Sequence, residues 1–170
     1  MHARIDYDKV APDVYKAMLV LEREVNNSGL EKTLLDLVKI RASQLNGCAY
    51  SIDLYVKEAR ARGEHEQRVY ELDAWRETTF YTDRERAALE WTEAITLVTQ
   101  GHVPDSVYSV ARRQFNDQEL ANLTLAIVAI NGWNRLSIAF RSVPGTHRAV
   151  TASMANNVAI PAHTSTNGNS

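Results

Sequence analysis

A chain of 170 residues that is 45% hydrophobic and 24% charged is ordinary for one globular domain with a sizeable core. Its formal charge of -2, with both signs interspersed, provides no field to gather nucleic acid or an anionic membrane, so neither partner is expected. Met1 to Asp6 carries no apolar leader core, the longest apolar run (Leu125 to Ile130) is far too short to span a bilayer, and a single cysteine fits a reducing, cytoplasmic compartment.

Apolar residues recur at helical spacing along the chain. Val10, Val14, Ala17, Met18, Leu21 and Val25 form one stripe of a helix over 10–26, stopped by Asn27-Ser28-Gly29. A second helix is predicted from Glu31 to Gln44, with Leu34, Leu35, Leu37, Val38 and Ile40 inward and Asn46-Gly47 as its stop. The third runs from Cys48 to Arg62, where Gly63 ends it, and a fourth from Glu64 to Trp75, before a loop over 76–81. Thr82 and Glu85 form a capping box for a helix reaching Gln100, and Pro104 opens a short helix to Gln114. Asn116 or Asp117 caps the last helix, through Ser142, whose centre over 120–130 is apolar on nearly every face and is therefore expected to be buried on all sides.

With no sustained period-two alternation, the fold is predicted to be all-α, an apolar central helix wrapped by amphipathic neighbours. One domain is expected over 1–145. Pro144-Gly145 closes it, and 146–170, with no charged residue from Thr151 onward, is expected to be a mobile tail.

The most informative segment is Asn46-Gly47-Cys48-Ala49-Tyr50-Ser51-Ile52-Asp53-Leu54-Tyr55. Cys48 is the only cysteine, and Ser51 stands where a redox Cys-x-x-Cys would carry its second thiol, so no intramolecular disulfide can form. The run Arg41 to Tyr50, continuing into Lys57-Glu58-Ala59-Arg60, resembles the alkylhydroperoxidase D-like, carboxymuconolactone decarboxylase family. Leu72 to Glu77, Tyr81 to Leu89, Trp91 to Ala94 and Asn131 to Arg135 are similar to it as well, so the resemblance spans about residues 5 to 145. It implies an AhpD-like helical fold whose subunits intertwine into homodimers, trimers or hexamers, and a peroxiredoxin-type antioxidant activity with an external thiol as reductant.

In redox-active members the working set is a glutamate, a first cysteine twelve residues on, a second cysteine, and a histidine four residues beyond that. Carried over, these fall on Asp36, Cys48, Ser51 and Tyr55. The resemblance assigns peroxide attack to the second cysteine and its resolution to the first, so this chain keeps the resolving thiol and lacks the attacking one. A histidine found within the motif of some members falls on Tyr50.

The chemistry of the replacements weakens each step. A serine hydroxyl with no strong base nearby does not attack peroxide at neutral pH. Asp36 is a methylene shorter than glutamate, and a tyrosine, whose ordinary pKa is about 10, is a poor proton shuttle beside histidine. Cys48, Ser51 and Tyr55 nonetheless share one helical face. Three simultaneous departures point to natural divergence rather than a single-site knockout.

Plainer roles also fit. Cys48 can be core filling, Asp36 a solvated residue or one paired with Lys39 or Lys32, Tyr50 and Tyr55 core-edge rings, and Trp75, Trp91 and Trp133 core anchors. The run Glu58, Arg60, Arg62, Glu64, Glu66, Arg68 reads as a solvated face. The five histidines have no ligand spacing and there is no phosphate-binding glycine loop, so no metal or cofactor is expected. Two functions remain: a peroxidase-type oxidoreductase with weak or lost activity, or a non-redox descendant, either a small-molecule-binding oligomer or an acid-base enzyme of the lactone decarboxylase or isomerase type. Reactivity of Cys48 separates them, and slow alkylation is expected.

Overall fold

A computed structural model describes residues 2–147, and these are all helix, turn and loop, with no strand among them. The helices are α1 (Tyr7–Val10), α2 (Pro12–Asn26), α3 (Lys32–Leu45), α4 (Ala49–Ala61), α5 (Glu66–Tyr70), α6 (Asp83–Thr96), α7 (Asp105–Gln114) and α8 (Asp117–Phe140), with 3-10 turns at Leu72–Glu77 and Val98–Gln100. The all-α architecture expected from the sequence is the one observed. The expected tail lies, from residue 148 on, outside the described residues.

α3 is the hub, packing against α4, α6 and α8, and ten of its fourteen residues are buried. The larger core cluster joins Leu34, Leu35 and Val38 of α3 to Ala88 and Trp91 of α6 and to Leu123 and Ile127 of α8, while a smaller one gathers Leu37 and Ile40 against Leu72, Trp75 and Leu89. The expected capping box of Thr82 with Glu85 opens α6, and the cap of α8 is Asn116, which forms a second box with Glu119. α8 is the one described helix long and apolar enough by composition to cross a membrane. Its inner face is nevertheless part of the core, where Asn134 donates to Ser43 Oγ at 3.1 Å and accepts from Asn46 at 2.9 Å.

The ends of α4 are set by two glycines. At Gly47, φ is +65°, the Cys48 amide donates to the Ser43 carbonyl and the Gly47 amide to that of Gln44, which is the two-bond Schellman closure of α3. The same closure recurs at Gly63 (φ +96°), where Glu64 N–H meets Ala59 O and Gly63 N–H meets Arg60 O. A side chain at either position would strain the left-handed backbone. Cys48 therefore becomes the N-cap of α4 and Arg62 its C-cap.

Four expectations need correction. The first helix begins at Pro12, so Val10 belongs to the separate turn α1, and Val10 and Val14 are exposed rather than inward. The predicted helix over 64–75 breaks into α5 and a 3-10 turn: the Glu71 amide closes α5 on the Gln67 carbonyl, the Ala74 amide turns tightly onto the Glu71 carbonyl, and Ala74 itself (φ -105°, ψ 26°) leaves helical geometry. α6 stops at Thr96, four residues short of Gln100. α8 is not buried on all sides: Leu125, Val128 and Ile138 are 37%, 51% and 47% exposed, since no element among the described residues covers that face.

Candidate functional site

α2, α3, α4 and the last turns of α8 enclose a cavity of about 560 Å³. Ser51, Tyr55, Glu58 and Arg62 of α4 all line it, at successive spacings of four, three and four, which is one face of a helix. Opposite stand Leu35, Asp36 and Lys39 of α3, and the aromatic rings of Tyr7, Tyr15 and Trp133 close the far side.

The structure thus brings Asp36, Ser51 and Tyr55 to one cavity. Ser51 lines the cavity and Cys48 does not, although each is 2% exposed, and Cys48 Sγ donates to Ser51 Oγ at 3.2 Å.

Asp36, 4% exposed, is held at two points by Arg62: Nε donates to Oδ2 at 2.8 Å and Nη2 to Oδ1 at 2.5 Å. Burial pushes the Asp36 carboxyl above its ordinary range, and the Arg62 guanidinium and the Lys39 charge oppose that only in part. Arg62 Nη1 also donates to Glu58 Oε2 at 3.1 Å, and Glu58 Oε1 lies 2.7 Å from His147 Nε2. The carboxylate expected to act as a base is therefore already engaged, and by neither of the lysines considered from the sequence. Lys39 instead donates to Glu22 at 2.5 Å, and Lys32 to the carbonyl of Asn26.

Tyr55 sits with its ring 5.2 Å from Lys39 Nζ. Its pKa is raised well above the usual 10, first by burial and then by the charge of Glu22, and burial likewise raises that of Tyr50. Both phenols stay protonated at neutral pH and act as hydrogen-bond donors, not as proton acceptors of histidine type.

Arg62, Lys39 and Glu22 are the site residues that sequence reasoning missed. Extending the face of Ser51 and Tyr55 by two further turns would have reached Glu58 and Arg62, of which Glu58 is drawn in at 20% side-chain exposure while Arg62 lines the cavity and stays 40% exposed. Glu64 is also drawn in, its side chain only 8% exposed beside Arg68. Of the three tryptophans, Trp75 and Trp91 are core, at 4% and 6% exposure, whereas Trp133 faces the cavity and donates to Glu22 at 3.2 Å. Among the described residues no cluster of His, Cys, Asp or Glu could hold a metal ion.

Comparison with known proteins places this geometry. The sequence pattern of the carboxymuconolactone decarboxylase family matches residues 12–94, from the start of α2 into the last turn of α6. YdfG of Bacillus subtilis, an uncharacterized protein, is 44% identical over 139 residues, 82% of this chain and 95% of that one. A crystal structure from Agrobacterium tumefaciens, of a protein of unknown function suggested by its name to be the antioxidant defence protein AhpD, superposes with a TM-score of 0.83 at 42% identity, over 86% of this chain and all of that one. The debrominase Bmp8 shares the fold, with a TM-score of 0.72 at 19% identity over 79% of this chain and 73% of that one. On the family pattern, the near-complete relative and the shared all-helical fold together, the chain belongs to the carboxymuconolactone decarboxylase family.

Proposed function

We propose that this protein is a member of the family that has left thiol peroxide chemistry and uses the cavity to bind a small organic molecule. The observation that carries the reading is the pair Ser51 and Cys48: a serine lines the cavity, and the single sulfur, 2% exposed, does not line it and is hydrogen-bonded to the serine hydroxyl. Peroxide reduction needs an accessible thiolate, and serine does not replace it. The other members of the former relay are occupied as well, Asp36 by Arg62 and Tyr55 by its own firmly held proton.

Self-association belongs to the same proposal, supported by the exposed apolar side chains of Val14 on α2 and Leu125 and Val128 on α8. So does a cytoplasmic location, supported by one unpaired cysteine. The peroxidase alternative is tested by turnover of an organic hydroperoxide with a dithiol reductant. Wild type should show none above background, Ser51→Cys little, and Ser51→Cys with Asp36→Glu and Tyr55→His more than the single changes combined, as for groups acting together. Wild-type turnover at ordinary enzyme rates would sink the reading.

A further inference from the structure

Two of the three cations that line the cavity are already matched to its carboxylates. Three cationic and three carboxylate side chains contribute to its wall. Lys39 is bonded to Glu22, and Arg62 to Asp36 and Glu58. Glu58 in turn faces His147. Lys32, the remaining cation, lies exposed at the edge and is bonded to the Asn26 carbonyl. An anionic ligand could recruit Lys39 or Arg62 only by uncovering Glu22 or Asp36, and a cationic ligand only by the converse. A charge left buried without its partner is strongly unfavourable, so a ligand charge of either sign seated inside the cavity, away from Lys32 at its edge, is penalised.

The uncharged part of the wall is flat and aromatic. Tyr15 meets Trp133 edge-on with centroids 5.8 Å apart, and Tyr7 packs against Tyr15 at 6.1 Å. Leu35 and Leu54 add apolar surface. Such rings favour another ring by stacking or edge contact. The hydroxyls of Tyr50 and Tyr55 have no hydrogen-bond partner among the described residues, although both residues line the cavity and both phenols hold their protons. Each is a donor awaiting an acceptor. A volume of about 560 Å³ lies within the range of small-molecule sites.

We propose that the cavity binds an electrically neutral, flat aromatic molecule that carries a carbonyl or hydroxyl oxygen, with the Tyr55 and Tyr50 hydroxyls donating to that oxygen. The inference rests on the reading that the site no longer performs thiol chemistry, and it narrows what the site accepts.

Calorimetric titration of the full chain at neutral pH with four probes of one shape tests it: 2-naphthamide (neutral, with oxygen), 2-naphthoate (anion), 2-naphthylmethylammonium (cation) and 2-methylnaphthalene (neutral, no oxygen). The amide should bind at least about tenfold more tightly than either ion, since each would leave a buried charge unpaired. Tyr55→Phe should weaken the amide about fivefold, the size of one neutral hydrogen bond, and leave 2-methylnaphthalene unchanged. If Tyr55→Phe does not fold, Tyr50→Phe reads the same effect from the neighbouring ring. Naphthoate or the ammonium binding as tightly as the amide, or no binding by any probe, overturns the ligand class. Failure of the underlying reading shows elsewhere, as hydroperoxide turnover by wild type, so the two fail separately.

Discussion

Replacing Arg62 by methionine should destabilise the fold by about 2 kcal/mol, with a pH dependence that identifies Asp36 as the source. Removing one partner of a fully buried ion pair costs about 3–5 kcal/mol, and an exposed pair contributes about 0–1 kcal/mol. Here the carboxylate side chain is 6% exposed and the guanidinium 40%, an intermediate case, and two charge-assisted bonds are lost together. At about 2–4 °C per kcal/mol for a domain of this size, the Tm at neutral pH should fall by about 4–8 °C. The sign with pH follows from Asp36, whose pKa burial already raises and which Arg62 restrains. Without Arg62 it rises further. A raised carboxyl adds stability below its ordinary pKa of about 3.8, and that stability is lost as pH climbs through the folded value, so the deficit relative to wild type should narrow on acidification. Scanning calorimetry at pH 7 and 4.5 reads both quantities. Asp36→Asn added to Arg62→Met should recover part of the loss at pH 7, because it removes the stranded charge. A shift below about 1 °C, or a deficit equal at both pH values, would refute the reasoning.

Cys48, 2% exposed, should react with iodoacetamide about a hundredfold more slowly in the native protein than in denaturant, read by mass spectrometry, and fast native labelling would show that Ser51 does not shield it. Glu93 accepts from Arg41 at 2.9 Å, Trp75 at 2.8 Å and Arg76 at 2.6 Å; burial pushes its carboxyl up, but these three donors outweigh it and the net effect is a lowered pKa. Its contribution is therefore present above the ordinary pKa of about 4.5 and lost as pH falls through the depressed folded value, so Glu93→Gln should be less stable than wild type at pH 7 by about 2 kcal/mol and the gap should shrink in strong acid. Light scattering should find wild type associated at micromolar concentration, and Val128→Asp, placed on the exposed side of α8, should convert it to monomer; a monomeric wild type contradicts the proposed assembly.

The features legible in the sequence are those written locally. Asn46-Gly47 and Gly63 fixed both ends of α4 because only a glycine takes the left-handed closure cheaply, and the Thr82–Glu85 capping box and the cap at Asn116 or Asp117 announced α6 and α8 within one residue. The illegible features are long-range. Nothing near Asp36 says that its partner is Arg62, twenty-six residues on, or that Lys39 reaches back seventeen residues to Glu22. The break between α5 and the 3-10 turn falls at Glu71 to Ala74, with no glycine or proline to mark it in a stretch whose local preference is helical. Periodicity also marked α8 as apolar without saying which part of that surface this chain covers. Cys48 and Ser51 were placed together by spacing, but which of them meets the cavity depends on the turn before α4.

The doubly closed α4 has a consequence for how such a protein can change. With both ends locked by backbone bonds that ignore side-chain identity, the helix cannot slide or rotate, and the outward direction at 51, 55, 58 and 62 stays constant whatever residue stands there. A substitution at any of these positions swaps the chemistry and leaves the frame, whereas inserting one residue between 51 and 55 would turn the remaining three by about 100° and empty the wall at once. The helix behaves as a keyed socket, tolerant of what is plugged into it and intolerant of a change in its length.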